Sequence, residues 1–172
     1  PEYLAVRKHF PNFLDMCKTP EVCCELVLQP IERFDLDAAI IFSDILTIPD
    51  ALDLGVIFKE GQGPVFKNPI RSKSDIKNLK EFHPEKLNYV YDTTKLTKQA
   101  LPSSKPLIGF TGSPWTLAAY SIEGRSSKDF KKTIRFVENN QESTHLLLTK
   151  FTDACYLYLR KQVKAGADVI QI

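Results

Sequence analysis

One carboxylate in this chain stands where an enzyme would put it. Residues 38–49 read AAIIFSDILTIP: an apolar run ends in Phe42-Ser43-Asp44, and the chain then swings into Ile45-Leu46-Thr47. A run that is apolar on both faces is expected of a parallel strand covered by helices. In α/β folds, ligands bind just beyond the carboxyl ends of such strands. Asp44 would leave its strand at that end, among neighbours that cannot solvate it, so its charge calls for a partner. A structural alternative is that Asp44 caps a short helix over residues 45–54. A second apolar run, Leu107-Ile108-Gly109-Phe110, delivers Phe110 to an equivalent strand end.

The other residue types that could do chemistry are scattered. Cys17, Cys23, Cys24 and Cys155 show no C-x-x-C pair and no zinc spacing. They are expected to be buried, reduced thiols of a cytosolic protein. His9, His83 and His145 lie far apart and are expected to face solvent or serve structure. No metal site is predicted. No G-x-G-x-x-G follows a strand, which disfavours a dinucleotide fold.

The elements that must position Asp44 and Phe110 follow from periodicity and punctuation. Residues 1–18 form a short helical region broken near Pro11. Thr19-Pro20-Glu21 opens a helix over residues 21–34, with Val22, Leu26, Ile31 and Phe34 on its apolar side and Pro30 distorting its last turn. After Asp44 a short helix ends at Gly55. Residues 56–60 and 64–66 flank Gly61-Gln62-Gly63 as a β-hairpin, an excursion of the kind that often shapes the mouth of a site. Ser72 opens a short helix, and residues 86–101 carry Leu87, Val90, Tyr91, Leu96 and Ala100 at helical spacing. Ser113 and Pro114 start a helix that Gly124 closes, and residues 129–140 form another. A long helix over 142–164 carries Leu146, Leu147, Phe151, Ala154, Tyr158, Leu159 and Val163. It leads into a third strand at 168–172.

This alternation predicts a parallel α/β architecture, and three strands of this kind suit a partial (β/α)8 TIM barrel with a small β-hairpin excursion. The 172 residues, 43% hydrophobic and 26% charged, match one ordinary soluble domain. The 23 basic and 21 acidic residues leave a net charge of +2 with no basic stripe, which argues against a nucleic-acid partner. No apolar run approaches a membrane span, so no membrane partner is expected. The chain starts at Pro1 without an initiator Met and stops on the apolar run at 167–172. Residues 1–172 are therefore expected to be part of a single domain, truncated at both ends.

The words FSDIL and GFTGSPWTLAAYSIEG, with PEYLAVR at the start and TPEVCCELVLQPIERFDLDAAIIFSDIL in one block, resemble the uroporphyrinogen decarboxylase family along the whole chain. The resemblance implies a (β/α)8 barrel about twice this length and a cytoplasmic homodimer. It implies a carboxy-lyase of porphyrin and haem biosynthesis that works without cofactor or metal. The implied reaction converts the four acetate side chains of uroporphyrinogen III to methyl groups, giving coproporphyrinogen III.

Carried over by motif, Asp44 matches the family's essential aspartate, set beneath the domed tetrapyrrole to accept hydrogen bonds from the pyrrole N–H groups. Tyr120 matches the tyrosine of PWTL-x-x-Y and would hydrogen-bond a substrate carboxylate or orient Asp44. Phe110 would pack on the macrocycle, and Arg7 would meet a propionate or acetate. Each has a plainer alternative: core packing for Tyr120 and Phe110, a surface charge for Arg7. Trp115 is read as core. The family's arginine loop before PEY, its later Ser or Thr and its late histidine have no counterpart here, so the chain alone is expected to be inactive. Two other readings remain: a non-catalytic tetrapyrrole-binding or chain-pairing fragment, and a relative of cobalamin-dependent methyltransferases that use zinc.

Overall fold

The computed structural model describes residues 2–59, 61 and 63–172. In chain order the elements are α1 (Glu2–Arg7), α2 (Phe13–Cys17), α3 (Pro20–Arg33), β1 (Ala39–Ile40), α4 (Thr47–Ala51), β2 (Val56–Lys59), β3 (Gly63–Phe66) and α5 (Lys73–Lys77). A 3₁₀ turn (Pro84–Leu87) precedes α6 (Asn88–Ala100), β4 (Leu107–Phe110), α7 (Pro114–Glu123), α8 (Lys131–Asn139), α9 (Gln141–Ala165) and β5 (Val169–Gln171). The chain divides into two compact units. One comprises Pro1–Asp44, Pro84–Thr111 and Leu157–Ile172, the other Ile45–His83 and Gly112–Tyr156.

The first unit is built on a parallel sheet in the order β1-β4-β5. Ala39 lies opposite Leu107 and Ile40 opposite Ile108; on the other edge of β4, Ile108, Gly109 and Phe110 face Val169, Ile170 and Gln171. Helix α3 packs on α6 and β1, and α6 packs on β4. Ala39, Ile41 and Leu107 are buried in that helix-covered layer. The opposite row is different. Ile40 is 52% exposed and Val169 49%, so the expectation of a strand buried on both faces fails on the row that β1 shares with Ile108 and Val169.

Two helices bury only part of the predicted faces: Leu26 of α3 and Leu87, Val90 and Tyr91 at α6 are buried as expected, and other residues take the remaining places. In α3 the buried side chains are Cys23, Cys24, Leu26 and Val27, whereas Phe34 is 56% exposed under the Arg33 guanidinium. The two cysteines act as small hydrophobes and rotate the stripe. In α6, Thr93, Thr94 and Thr97 are buried, while Ala100 is exposed. Thr93 and Thr94 donate their hydroxyls to the Tyr89 and Val90 carbonyls at 2.8 Å, which hides their polarity inside the helix. Thr19 stands at the N-cap of α3 but its hydroxyl donates to the Asp15 carbonyl instead, at 3.0 Å.

In the second unit β2 and β3 form the predicted antiparallel hairpin. Gly61 in the turn and Gly63 at the start of β3 have φ of +71° and +74°, a region glycine enters without a Cβ clash; Glu60 and Gln62 lie outside the described residues. Val65 bridges Arg125, and the Phe66 N–H donates to the Gly124 carbonyl, tying the hairpin to the end of α7. The predicted punctuation holds at α5 and α7, but α4 ends at Ala51 with Leu52 as its C-cap, short of the predicted stop at Gly55. Ser113 Oγ accepts from the Thr116 N–H at 3.1 Å, Pro114 begins α7, and Gly124 ends it in the left-handed region. Ser72 and Asp75 form a capping box on α5. Buried Glu123 caps α8, accepting from the Lys132 and Thr133 N–H groups. Trp115 departs from expectation: it is 50% exposed. A side chain in the first helical turn leans toward the N-terminus, off the packed body of the helix.

Candidate active site

Asp44 lies four residues beyond the last residue of β1, half-buried, at the C-terminal end of the sheet. Helix α4 begins at Thr47, with Leu46 at its N-cap position. The thiol of Cys17 is held well above its usual range, first by burial, then by Cys23, then by the charge of Asp44. Burial likewise pushes Cys23 up to about 11. Aromatic rings gather at the same strand exit. Phe42 lies 6.3 Å from Tyr3 and 6.0 Å from Phe13 between ring centroids, tilted in both pairs.

Phe110 ends β4, the neighbour of β1, so Phe110 and Asp44 leave the sheet from the same end. Arg7 is the last residue of α1, half-buried, and its Nη1 donates to the Phe10 carbonyl at 2.7 Å. The first unit thus contains Arg7, Asp44 and Phe110. Tyr120 belongs to the second unit, on α7, where its ring meets Phe130 edge-on with centroids 5.7 Å apart. His9, His83 and His145 are exposed, as the sequence predicted. The four cysteines are free and buried. Among the described residues no group of three or more His, Cys, Asp or Glu is arranged to hold a metal ion, and no helix is long and apolar enough to cross a membrane.

Tyr3, Phe13 and Phe42 escaped the sequence reading. For Phe42 a signal was present, because it precedes Asp44 by two residues and the side-chain period of an extended chain is two. Tyr3 and Phe13 reach Phe42 from helices remote in sequence, which no local pattern announces.

The family profile described as Uroporphyrinogen decarboxylase (URO-D) matches residues 1–172. The chain belongs to the uroporphyrinogen decarboxylase family. Relatives that carry the name uroporphyrinogen decarboxylase include one from Legionella pneumophila (strain Corby), 51% identical over 173 residues, covering all of this chain and 49% of the relative. Another, from Francisella philomiragia, is 51% identical over 174 residues, all of this chain and 50% of the relative. The chain therefore spans about half the length of these relatives. Among solved structures, a methyltransferase from Methanosarcina mazei superposes with a TM-score of 0.73 at 19% identity, over 92% of this chain and 47% of the other. At that identity the likeness is one of fold. It agrees with a mixed α/β chain built on a parallel sheet.

Proposed function

We propose that this chain supplies one half of a uroporphyrinogen decarboxylase, contributing strands β1, β4 and β5 to a (β/α)8 barrel. The whole-chain match to the family carries the reading. The open row of Ile40, Ile108 and Val169 supports it, since apolar side chains on an uncovered strand face suit the interior of a barrel completed by further strands. The completed enzyme is proposed to act as a homodimer.

In the proposed chemistry each step replaces the carboxylate of a pyrrole acetate by a proton. The ring carbon next to the one bearing the acetate is protonated, which makes the pyrrole cationic and leaves the acetate-bearing carbon able to take up an exocyclic double bond. The C–C bond to the carboxylate breaks and its electron pair neutralises the ring. CO₂ leaves, and a second protonation of the exocyclic carbon gives the methyl group as the ring proton departs. Asp44, at the strand end, accepts hydrogen bonds from pyrrole N–H groups and offsets the cationic charge as it develops. Phe42 and Phe110 offer apolar faces to the macrocycle, Arg7 pairs with a substrate carboxylate, and the phenol of Tyr120 donates to another.

The test is turnover of uroporphyrinogen by two proteins: the chain alone, and a hybrid joining it to the remainder of the Legionella pneumophila relative. The hybrid is expected to release CO₂ and form coproporphyrinogen, and the chain alone to be inactive. A folded hybrid without activity would overturn the proposed function. Turnover by the chain alone would overturn the half-site reading.

A further inference from the structure

Strand β4 is bonded differently along its two edges. Toward β5, the Leu107 carbonyl accepts from the Asp168 N–H and the Thr111 N–H donates to the Gln171 carbonyl. Toward β1, the Pro106 carbonyl accepts from the Ala39 N–H and the Ile108 carbonyl from the Ile41 N–H, both at 3.0 Å. Alternate residues of a parallel strand bond to the same neighbour, so Phe110 also points its N–H and carbonyl toward β1. The next rung would join the Phe110 carbonyl to the Ser43 N–H. It is replaced. Gln162, on α9 and 0% exposed, accepts from the Phe110 N–H at 2.9 Å through Oε1 and donates to the Phe110 carbonyl at 2.9 Å through Nε2. A carboxamide offers one acceptor and one donor on a rigid plane, the same pair that a strand backbone presents.

The neighbouring residue makes room for it. A Cβ at Gly109 would collide with Gln162 Oε1 and would lie 3.1 Å from both the Ala167 Cβ and the Ile170 Cδ1. The carboxamide thus sits among apolar side chains and the Phe110 backbone. Its two bonds satisfy strand groups that would otherwise be buried unpaired, a costly state.

We propose that Gln162 is a positioning residue of the decarboxylase site: its carboxamide stands in for the last rung between β1 and β4. It fixes Phe110 at the strand end and lets residues 42–44 leave the sheet to carry Asp44 to the substrate. The inference rests on the proposed function for its catalytic consequence; its structural half stands without it.

Two variants and two readouts test it. In Gln162→Leu the Phe110 amide should exchange with solvent ~10-fold faster or more, because its acceptor is gone. In the hybrid, kcat should fall ~10-fold with KM changed less, since a displaced strand end misorients bound substrate more than it weakens binding. Gln162→Glu keeps every heavy-atom position, so it carries the test if the leucine variant fails to fold. As a carboxylate it cannot donate to the Phe110 carbonyl, but as a neutral acid it can donate and accept as the carboxamide does. Its apolar surroundings raise its titration above the ordinary carboxyl range. Relative to wild type at the same pH, Q162E should therefore recover Phe110 protection and turnover as pH falls. Unchanged exchange at Phe110 in either folded variant would overturn the proposal, as would a Q162E to wild-type ratio that stays flat with pH. A hybrid that exchanges as expected but shows no decarboxylation in any form would count against the proposed function and leave the rung replacement standing.

Discussion

Each end of the parallel sheet carries a carboxylate, one tied into the structure and the other proposed to meet substrate. At the N-terminal end, just before β5, Asp168 accepts from the Leu107 N–H at 2.7 Å and from Lys98 Nζ at 2.7 and 2.9 Å. The backbone bond first, and the Lys98 ammonium next, hold its carboxyl below the usual range. That carboxylate joins β5, β4 and α6. At the C-terminal end Asp44 sits past its strand, half-buried, two residues beyond Phe42, whose ring meets Tyr3 and Phe13. The contrast teaches that residue type does not separate a structural aspartate from one proposed to do chemistry. What distinguishes the two positions is the end of the sheet at which each stands.

The comparison can be broken most sharply at Asp44. In the hybrid, Asp44→Asn should lower kcat by ~100-fold or more, because an amide cannot offset a developing cation. Steady-state uroporphyrinogen turnover reads this out, and the melting temperature should stay close to wild type. Tyr120→Phe removes one hydroxyl and little packing, so a loss of ~2- to 10-fold is expected from the same assay. A harsher effect than that of Asp44→Asn would reverse the roles assigned to the two residues.

At the other end Asp168→Asn should destabilise the protein by about 1 kcal/mol, the group being partly open to solvent, as read from denaturant unfolding. Its pH dependence has a definite sign. A carboxyl whose folded pKa is lowered adds stability above its unfolded pKa, and that stability is lost as pH falls through the folded pKa. Wild type should therefore lose part of its margin over the variant on acidification below about pH 4. The smallest effect concerns the thiols. Cys23, pushed up to about 11 by burial, should resist alkylation at pH 8 far more than a free cysteine, as mass spectrometry of the native protein would show.

Much of this contrast was legible in the sequence. The apolar run ending at Asp44 announced a strand with a carboxylate at its exit, and the parallel order followed from alternation of strands and helices. Caps were legible where side chain and backbone act within a few residues, as at Ser72, Ser113 and Gly124. The burial of Thr93 and Thr94 was not, because a hydroxyl bonded to its own helix has the composition of a surface residue and the behaviour of a core one. The exposure of Ile40 was hidden for a related reason: an apolar strand residue reads the same whether or not anything covers it. Gln162 was illegible because its partner is 52 positions away, and a glutamine amid Lys161 and Val163 carries no local sign of being buried.

The most direct measurement pairs Asp44→Asn with Asp168→Asn in the same hybrid and records turnover and unfolding free energy for each. The account predicts a crossing: Asp44→Asn loses turnover and keeps stability, and Asp168→Asn loses stability and keeps turnover under folding conditions. Near-normal turnover in folded Asp44→Asn would contradict it.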